Sequence, residues 1–333
     1  MKRKITAYIL TAALICSGGC KAGNSAAVDV GKSQISKTDF EYYLESVKEE
    51  FKSDAEIKSD DDWNNVEIEG EKAIDAAKKK ALDAAVRNAL YIEIGKIKTP
   101  LTDSQQKSID SFSKNMTSRM GGEENYKKFL EQNGMTDEFF KMLFVSETYR
   151  RNLSDMIKKD YPATDEEIKD TFVKNYRRAK HILIMTMDPQ TRQPLSEEEI
   201  ADAKKRADEL YERVKNGEDF DLLMNEFSED TGLTTNPDGY VFTDNEMVAE
   251  FQDGVDSLKV GEVCMVESGF GYHIIKRLAL DETDEIYNNA LSEKKSEVEG
   301  LVYNDKLNEK LEDLKKECGV EVKVNESYYK TVK

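Results

Sequence analysis

Two histidines are the residues best suited to chemistry in this chain, because its 333 residues contain no others. His181 lies in the apolar run Ala-Lys-His-Ile-Leu-Ile (179–184), and His273 lies in the similar run Gly-Phe-Gly-Tyr-His-Ile-Ile (269–275). This shared setting predicts that both imidazoles belong to one site. Two imidazoles and a carboxylate could bind zinc, although the chain shows no zinc-ligand spacing. The other interpretation is a pair of unrelated core histidines.

The N-terminus predicts an exported protein. Basic residues at 2–4 precede a mostly apolar run at 5–16, which is too short for an ordinary membrane span, and small residues at 17–19 then lead to Cys20. The pattern is typical of a secretory signal peptide and resembles a bacterial lipobox, except that Ser17 stands where Leu is usual. We therefore expect Cys20 to be lipidated. Plain cleavage near the same bond is the alternative.

Composition limits the partners of this chain. Charged residues make up 35% of the sequence, hydrophobic residues 38%, and the formal net charge is −18, which is typical of a polar, folded protein. Such acidity argues against nucleic acid as a partner, because nothing neutralises phosphates in bulk. The sequence indicates no cofactor. Besides the leader and the predicted lipid site, Cys264 and Cys318 remain, and we expect two idle thiols; a disulfide between them is the alternative.

The chain is predicted to be an α+β protein in which a mostly helical domain is interrupted by a second module. The first part has helical spacing of apolar residues almost throughout, whereas β-rich runs begin at Arg177 and follow the order βααβαββ. The predicted parts are a signal peptide (1–19), a lipid-anchored tether (20–27), a helical domain (28–175), an inserted module (177–278), and a C-terminal helix and strand that pack on the helical domain (281–333).

Local patterns predict several element boundaries. Ser or Thr with Glu three residues later predicts capping boxes at Thr38–Glu41, Thr164–Glu167 and Ser196–Glu199. One long helix is predicted from Glu67 to Lys98, with an alanine-rich stripe that packs inside the helical domain; a coiled-coil seam is the alternative. Another helix is predicted over 102–120, and helical turns are predicted at 245–252 and 256–259.

Several motifs of the inserted module occur together in one order. They are His-Ile-Leu-Ile (181–184), Phe-Ser-Glu-Asp-Thr-Gly (227–232), Met247 four residues before Phe251, Ser-Leu-Lys-Val-Gly-Glu-Val (257–263) and Gly-Tyr-His-Ile-Ile-Lys (271–276). The module resembles a parvulin-type peptidyl-prolyl isomerase domain. The whole layout is similar to the PrsA-type foldase lipoproteins of Gram-positive bacteria, with SurA-like chaperones as more distant relatives. This resemblance implies a four-stranded antiparallel sheet with flanking helices, inserted into a SurA-like helical domain.

The resemblance also implies the residues of the site. His181 and His273 match the paired histidines of adjacent central strands, and Asp230 matches the Cys-or-Asp position between them. The implied substrate-binding residues are Met247, Phe251, Phe270 and Ser268, of which the first two would share one helix face as walls of a proline pocket. The chain departs from the family at 236–242, where Asn-Pro-Asp-Gly-Tyr-Val-Phe replaces a Gly-Gly-x-Leu-Gly pattern. Tyr240 and Val241 are candidates for a third wall.

The function that the resemblance implies is peptidyl-prolyl cis/trans isomerisation and chaperoning of exported proteins at the outer face of the cytoplasmic membrane. The partners would be unfolded or partly folded exported polypeptides with X-Pro bonds, and the membrane through the lipid; neither a metal nor a cofactor is implied, and a homodimer is left open. One alternative is a client-binding lipoprotein whose degenerate parvulin module no longer catalyses. Another is a substrate-binding or scaffold lipoprotein without a role in folding.

Overall fold

The computed structural model of this chain describes residues 26–54, 57–68 and 70–332. The predicted signal peptide and the predicted lipidation site, Cys20, lie outside the described residues. Within those residues, no helix combines the length and the apolar character needed to cross a membrane.

Helices and strands both contribute to the fold. The helices are, in chain order, α1 (Lys37–Asp54), α2 (Asp62–Asn65), α3 (Ala73–Lys98), α4 (Asp103–Asp110), α5 (Phe112–Arg119), α6 (Glu123–Gln132), α7 (Asp137–Asp160), α8 (Asp165–Asn175), α9 (Glu197–Lys215), α10 (Phe220–Phe227), α11 (Ala249–Ser257), α12 (Glu285–Glu317) and α13 (Glu326–Thr331). The strands are β1 (Ala26–Val30), β2 (Ser33–Ser36), β3 (Glu67–Ile68), β4 (Glu71–Lys72), β5 (Arg177–Met185), β6 (Tyr240–Phe242), β7 (Val263–Ser268), β8 (Gly271–Leu278) and β9 (Val322–Val324). The predicted α+β class is confirmed.

The described chain divides into two compact units. The first comprises the described residues up to Pro162 together with those from Tyr303 onward, and the second comprises Ala163–Val302. The second unit is therefore an insertion in the first, because the chain leaves the first unit once and returns to it once. The predicted bounds of the isomerase module, 177–278, stay a prediction within this larger unit.

The first unit is mostly helical and is organised around α3. The alanine stripe of this helix is buried, and its small side chains allow α1 and α7 to pack closely on α3. A three-stranded antiparallel sheet in the order β2-β1-β9 joins the two chain segments of the unit, since Val28 pairs with Val324. Hydrogen bonding between strands that are distant in sequence thus closes this unit.

Three predicted boundaries in the first unit are wrong. Helix α1 is capped by Ser36 and Asp39 instead of Thr38 and Glu41: the Asp39 N–H donates to Ser36 Oγ (3.1 Å), and the Ser36 N–H donates to the Asp39 carboxylate (3.3 Å). Residues 67–72 contain the hairpin β3–β4, so the long helix begins only at α3. The helix predicted over 102–120 is broken between α4 and α5 at Ser111.

The second unit contains the predicted four-stranded antiparallel sheet, in the order β6-β5-β8-β7. Side chains alternate between the two faces of a strand, so each face has its own core. One face packs against α9 and α10, and its core includes Ile182, Ile184 and Ile274. The opposite face packs against α11, and its core includes Ala179 and Ile275. A third apolar cluster joins α8 to the first part of α12.

The two capping boxes predicted for the second unit are confirmed. Thr164 and Glu167 cap α8, and Ser196 and Glu199 cap α9, each with reciprocal hydrogen bonds between side chain and backbone. Helix is confirmed in parts of the two turns predicted at 245–252 and 256–259, but their bounds and their division into two are wrong. One helix, α11, replaces them, and it begins at Ala249.

Candidate active site

Strand pairing brings the two histidines together on one face of the sheet. In the antiparallel register of β5 and β8, His181 lies opposite Ile275, and Leu183 lies opposite His273. The histidines are therefore diagonal neighbours on adjacent central strands, within reach of each other's side chains. Their even-numbered neighbours, such as Ile182 and Ile274, point to the other face, so both imidazoles point toward α11.

The two imidazoles make a direct hydrogen bond. Nδ1 of His181 lies 3.0 Å from Nδ1 of His273, and both side chains are buried. The ring planes are inclined by only 10°, with centroids 5.2 Å apart. A single proton lies between the two nitrogen atoms, because one ring must donate and the other must accept. The predicted pair of histidines is thus one hydrogen-bonded unit in the structure.

Asp230 occupies the other side of the His181 ring. His181 Nε2 lies 3.0 Å from Asp230 Oδ2, the Tyr240 hydroxyl donates to the same oxygen (2.6 Å), and the Gly232 N–H donates to Oδ1 (2.9 Å). Burial by itself raises the pKa of Asp230, but the three donors outweigh burial and hold that pKa well below its usual range. Asp230 is therefore an ionised carboxylate that only accepts hydrogen bonds, so His181 carries its proton on Nε2.

Ser268 completes the chain of hydrogen bonds at its far end. Ser268 Oγ lies 2.8 Å from His273 Nε2, and the Phe270 N–H donates to Ser268 Oγ (3.1 Å). With His181 neutral and protonated on Nε2, His273 Nδ1–H donates to His181, and the Ser268 hydroxyl donates to His273 Nε2. Every bond in this series then has one donor and one acceptor.

His273 is held in its neutral form. Burial, together with the charge that His181 can carry beside it, lowers the pKa of His273 from 6.5 to about 4. At neutral pH the floor of the site therefore consists of a neutral imidazole beside a histidine that binds an ionised carboxylate. Among the described residues, no group of three or more His, Cys, Asp or Glu side chains has an arrangement that could hold a metal ion.

A short segment anchored to β5 fixes the position of Asp230. The Leu183 N–H donates to Ser228 Oγ (3.1 Å), the Glu229 N–H donates to the Leu183 carbonyl (2.8 Å), and the Met185 N–H donates to the Glu229 carboxylate (2.6 Å). These bonds continue the edge of the sheet beyond the end of its pairing with β6. Asp230 follows directly and is thereby held beside His181.

Aromatic and apolar side chains form the wall of the site. Phe251, on α11, is buried and meets both imidazoles edge to face, with centroid distances of 5.2 Å to His181 and 5.6 Å to His273. Met247 is half-buried and packs on the same cluster. Phe270 lies at the turn between β7 and β8 with 47% of its surface exposed.

The predicted reason for pairing Met247 with Phe251 is wrong, although the two residues do share a cluster. Met247 precedes α11, whose N-cap is Val248, so the spacing of four residues does not place the pair on one helix face. The loop before the helix brings Met247 to the cluster. Of the two candidates for a third wall, Tyr240 packs on the cluster of Phe251, whereas Val241 packs on the cluster of α8 and α12.

The hydroxyl of Tyr240 is the site contact that sequence reasoning missed. Tyr240 is half-buried on the edge strand β6, and its ring meets the His181 ring at 5.7 Å. Gly239 makes this placement feasible: its φ is +92°, and a Cβ there would lie 2.5 Å from the Ala179 carbonyl oxygen. The Asp-Gly turn at 238–239 was the available signal, since such turns favour positive φ and tight strand pairing.

The two remaining cysteines are free thiols, each half-buried. Burial raises the pKa of Cys264 and of Cys318. Both are therefore thiols rather than thiolates at neutral pH, and neither is activated as a nucleophile.

Comparisons with known proteins find one family model and several similar chains. Residues 166–280 match the family described as the PPIC-type PPIASE domain. The chain is 29% identical over 323 residues to the foldase protein PrsA of Caldanaerobacter subterraneus subsp. tengcongensis, covering 94% of this chain and 92% of that protein. It is 32% identical over 210 residues to the foldase protein PrsA of Staphylococcus aureus, covering 60% and 61%. Among solved structures, PrsA from Bacillus subtilis is 22% identical and covers 77% of this chain and 90% of its own, with a TM-score of 0.27.

The family match, with the antiparallel sheet and its paired histidines, defines a peptidyl-prolyl cis/trans isomerase of the parvulin type. Over most of its length the chain is similar to foldase proteins PrsA, and together with the domain match this similarity supports a parvulin foldase of the PrsA type. The predicted recognition and the predicted enzyme class are confirmed. The roles of the individual site residues stay predictions.

Proposed function

We propose that this foldase is extracytoplasmic, anchored to the membrane by a lipid on Cys20, and isomerises X-Pro bonds of exported polypeptides at the site of His181, His273 and Asp230. The observation that carries the catalytic part is the Nδ1–Nδ1 contact of 3.0 Å with Phe251 packed against both rings. This contact places the polar histidine pair directly beside the apolar ring of Phe251.

The chemistry requires no bond to be made or broken. An X-Pro bond rotates through a barrier of about 18–20 kcal/mol, because twisting removes amide resonance. Uncatalysed exchange therefore takes roughly tens to hundreds of seconds. A catalyst needs only to bind the twisted amide more tightly than either planar form. We assign no nucleophile in this mechanism.

The site offers two surfaces for that task. Phe251 and Met247 would hold the prolyl ring, with Phe270 at the edge, because an apolar wall favours burial of the ring. The fixed polar series from Asp230 to Ser268 would lie beneath the rotating bond and favour its changed charge distribution. Asp230 acts as an electrostatic partner of the histidines in this proposal.

A protease-coupled assay on a proline peptide tests the site. Met247→Ala is expected to lower kcat/KM by about tenfold, because it removes part of the wall that binds the ring. The matched control is Leu222→Ala on α10, which removes an apolar side chain that is 69% exposed on the helix covering the opposite face of the sheet. Wild-type rates in both Met247→Ala and His181→Ala would contradict catalysis at this site.

The anchor is tested at Cys20 itself. Mass spectrometry of the protein extracted from membranes is expected to find a lipid-modified Cys20 as the first residue, and Cys20→Ser is expected to release the protein from the membrane fraction. Cys318→Ser serves as the control, because it removes a thiol from the C-terminal end of α12 and leaves the lipobox intact. An unmodified N-terminus, or cleavage elsewhere, would exclude the lipid anchor.

Client holding is expected to be separable from isomerisation. The full chain carrying His181→Ala should suppress aggregation of an unfolded client as well as the wild type does, because the substitution leaves the first unit unchanged. Only the wild type should accelerate a refolding step limited by proline isomerisation. Loss of both activities in His181→Ala, with the variant still folded, would contradict a chaperone function outside the isomerase site.

A further inference from the structure

The carboxylate of Asp230 is held by more than its histidine. Oδ2 accepts two hydrogen bonds, from His181 Nε2 at 3.0 Å and from the Tyr240 hydroxyl at 2.6 Å, while Oδ1 accepts the Gly232 N–H. The tyrosine bond is the shortest of the three. Because hydrogen bonds to an ionised group are stronger than neutral ones, the hydroxyl stabilises the charged form of the carboxyl and fixes its rotation.

The fold holds the Tyr240 hydroxyl against Asp230, with the Asn236 side chain as a second polar neighbour. Tyr240 pairs with Ala179 across β5 and β6, so its side chain lies on the same face as His181. The close approach extends to the 3-10 helix after Asp230, since a Cβ at Gly232 would lie 2.1 Å from the Tyr240 hydroxyl oxygen. The hydroxyl therefore lies close to Gly232, the Asn236 side chain and the carboxylate of Asp230.

We infer that Tyr240 is a positioning residue of the isomerase site, which acts through Asp230 to hold His181 in the tautomer that donates from Nε2. The inference rests on the proposed function for its catalytic meaning. It assigns a second role to a residue of the segment 236–242, which the resemblance left as a departure from the family.

In the hydrogen bond between Tyr240 and Asp230, the tyrosine hydroxyl is always the donor. Burial, reinforced by the hydrogen bond to Asp230, raises the pKa of Tyr240 above its ordinary value, so the hydroxyl remains protonated and donates throughout the working range of pH. The titratable groups that face Asp230 are His181 from β5, His273 from β8 behind it, and Tyr240 from β6. With His273 neutral, the donors to the carboxylate are His181, Tyr240 and one backbone amide.

Removal of the Tyr240 hydroxyl should therefore change the pKa of the Asp230 carboxyl. We expect Tyr240→Phe to raise the pKa of the Asp230 carboxyl by about one to two units, measured by carbon-13 NMR titration of the full chain without substrate. The same variant should lower kcat/KM by roughly tenfold with the fold retained, because the ring still packs on its cluster. Tyr211→Phe, which removes the hydroxyl of a partly buried tyrosine on α9, should leave the Asp230 titration unchanged.

A second variant disturbs the hydrogen bond between Tyr240 and Asp230 without removing the hydroxyl. Gly232→Ala keeps the tyrosine but displaces its hydroxyl, and it should shift the Asp230 titration in the same direction as Tyr240→Phe. An Asp230 titration that stays at wild type in both variants would overturn the positioning role, whatever the rates. A shifted titration together with a wild-type rate in Asp230→Ala would instead overturn catalysis at the site, and with it the catalytic meaning of Tyr240.

Discussion

His181→Ala is expected to lower kcat/KM for a proline peptide by about 100-fold, which is the scale found when one preorganised donor is removed from an active site. His181 is the central member of the hydrogen-bonded series, since it contacts Asp230 through Nε2 and His273 through Nδ1. Its removal leaves Asp230 without the histidine donor and leaves His273 without its acceptor. It also removes the ring that Phe251 packs against.

Two further variants separate these effects. His181→Gln retains a donor that can bind Asp230 but lacks the aromatic ring, so its rate should lie between those of the wild type and His181→Ala. Lys204→Ala removes an exposed ion pair with Asp208 on α9, away from the histidine face, and should leave the rate unchanged. A kcat/KM within about twofold of the wild type in His181→Ala would contradict the proposed role, since removing a preorganised donor has a much larger effect.

Lowering the pH from 7 to 4 is expected to reduce the free energy of unfolding of the second unit by up to about 3 kcal/mol through His273 alone. The pKa of His273 is lowered by burial, and next by the charge on His181, from 6.5 to about 4 in the folded protein. In the unfolded chain the same imidazole binds a proton near pH 6.5. Between these two values the unfolded state binds more protons, so acid favours unfolding. The contribution of neutral His273 to the free energy of unfolding is fully present above pH 6.5 and is lost progressively as the pH falls toward 4.

The measurement must report on the second unit. The chain has one tryptophan, Trp63, and it lies in the first unit, so its fluorescence is the wrong probe. Hydrogen exchange of the β8 amides at several pH values follows the correct sheet. His273→Gln removes the titrating group and keeps an amide between His181 and Ser268, so this part of the pH dependence should disappear. If the free energy of unfolding of His273→Gln fell with decreasing pH as steeply as that of the wild type, groups other than His273 would cause the acid sensitivity.

Local sequence signals predicted much of the second unit. The capping boxes of α8 and α9 depend on hydrogen bonds between residues three apart, so they can be recognised in a short stretch of sequence. The same reasoning failed for α1, because Ser36 and Asp39 form an equivalent pair two residues earlier. It also failed for Met247, because helical spacing has meaning only inside a helix.

The sequence by itself determined the class of this protein: an α+β module with two histidines in matching apolar strands, in the motif order of a parvulin domain. Only the tertiary structure decided how the site is bonded. The register of β5 against β8 set the Nδ1–Nδ1 contact, and the pairing of β6 placed the Tyr240 hydroxyl on Asp230. Strand alternation can be read along a chain, but side chains from different strands meet only where the register of pairing brings them together, and no local pattern encodes that register fully.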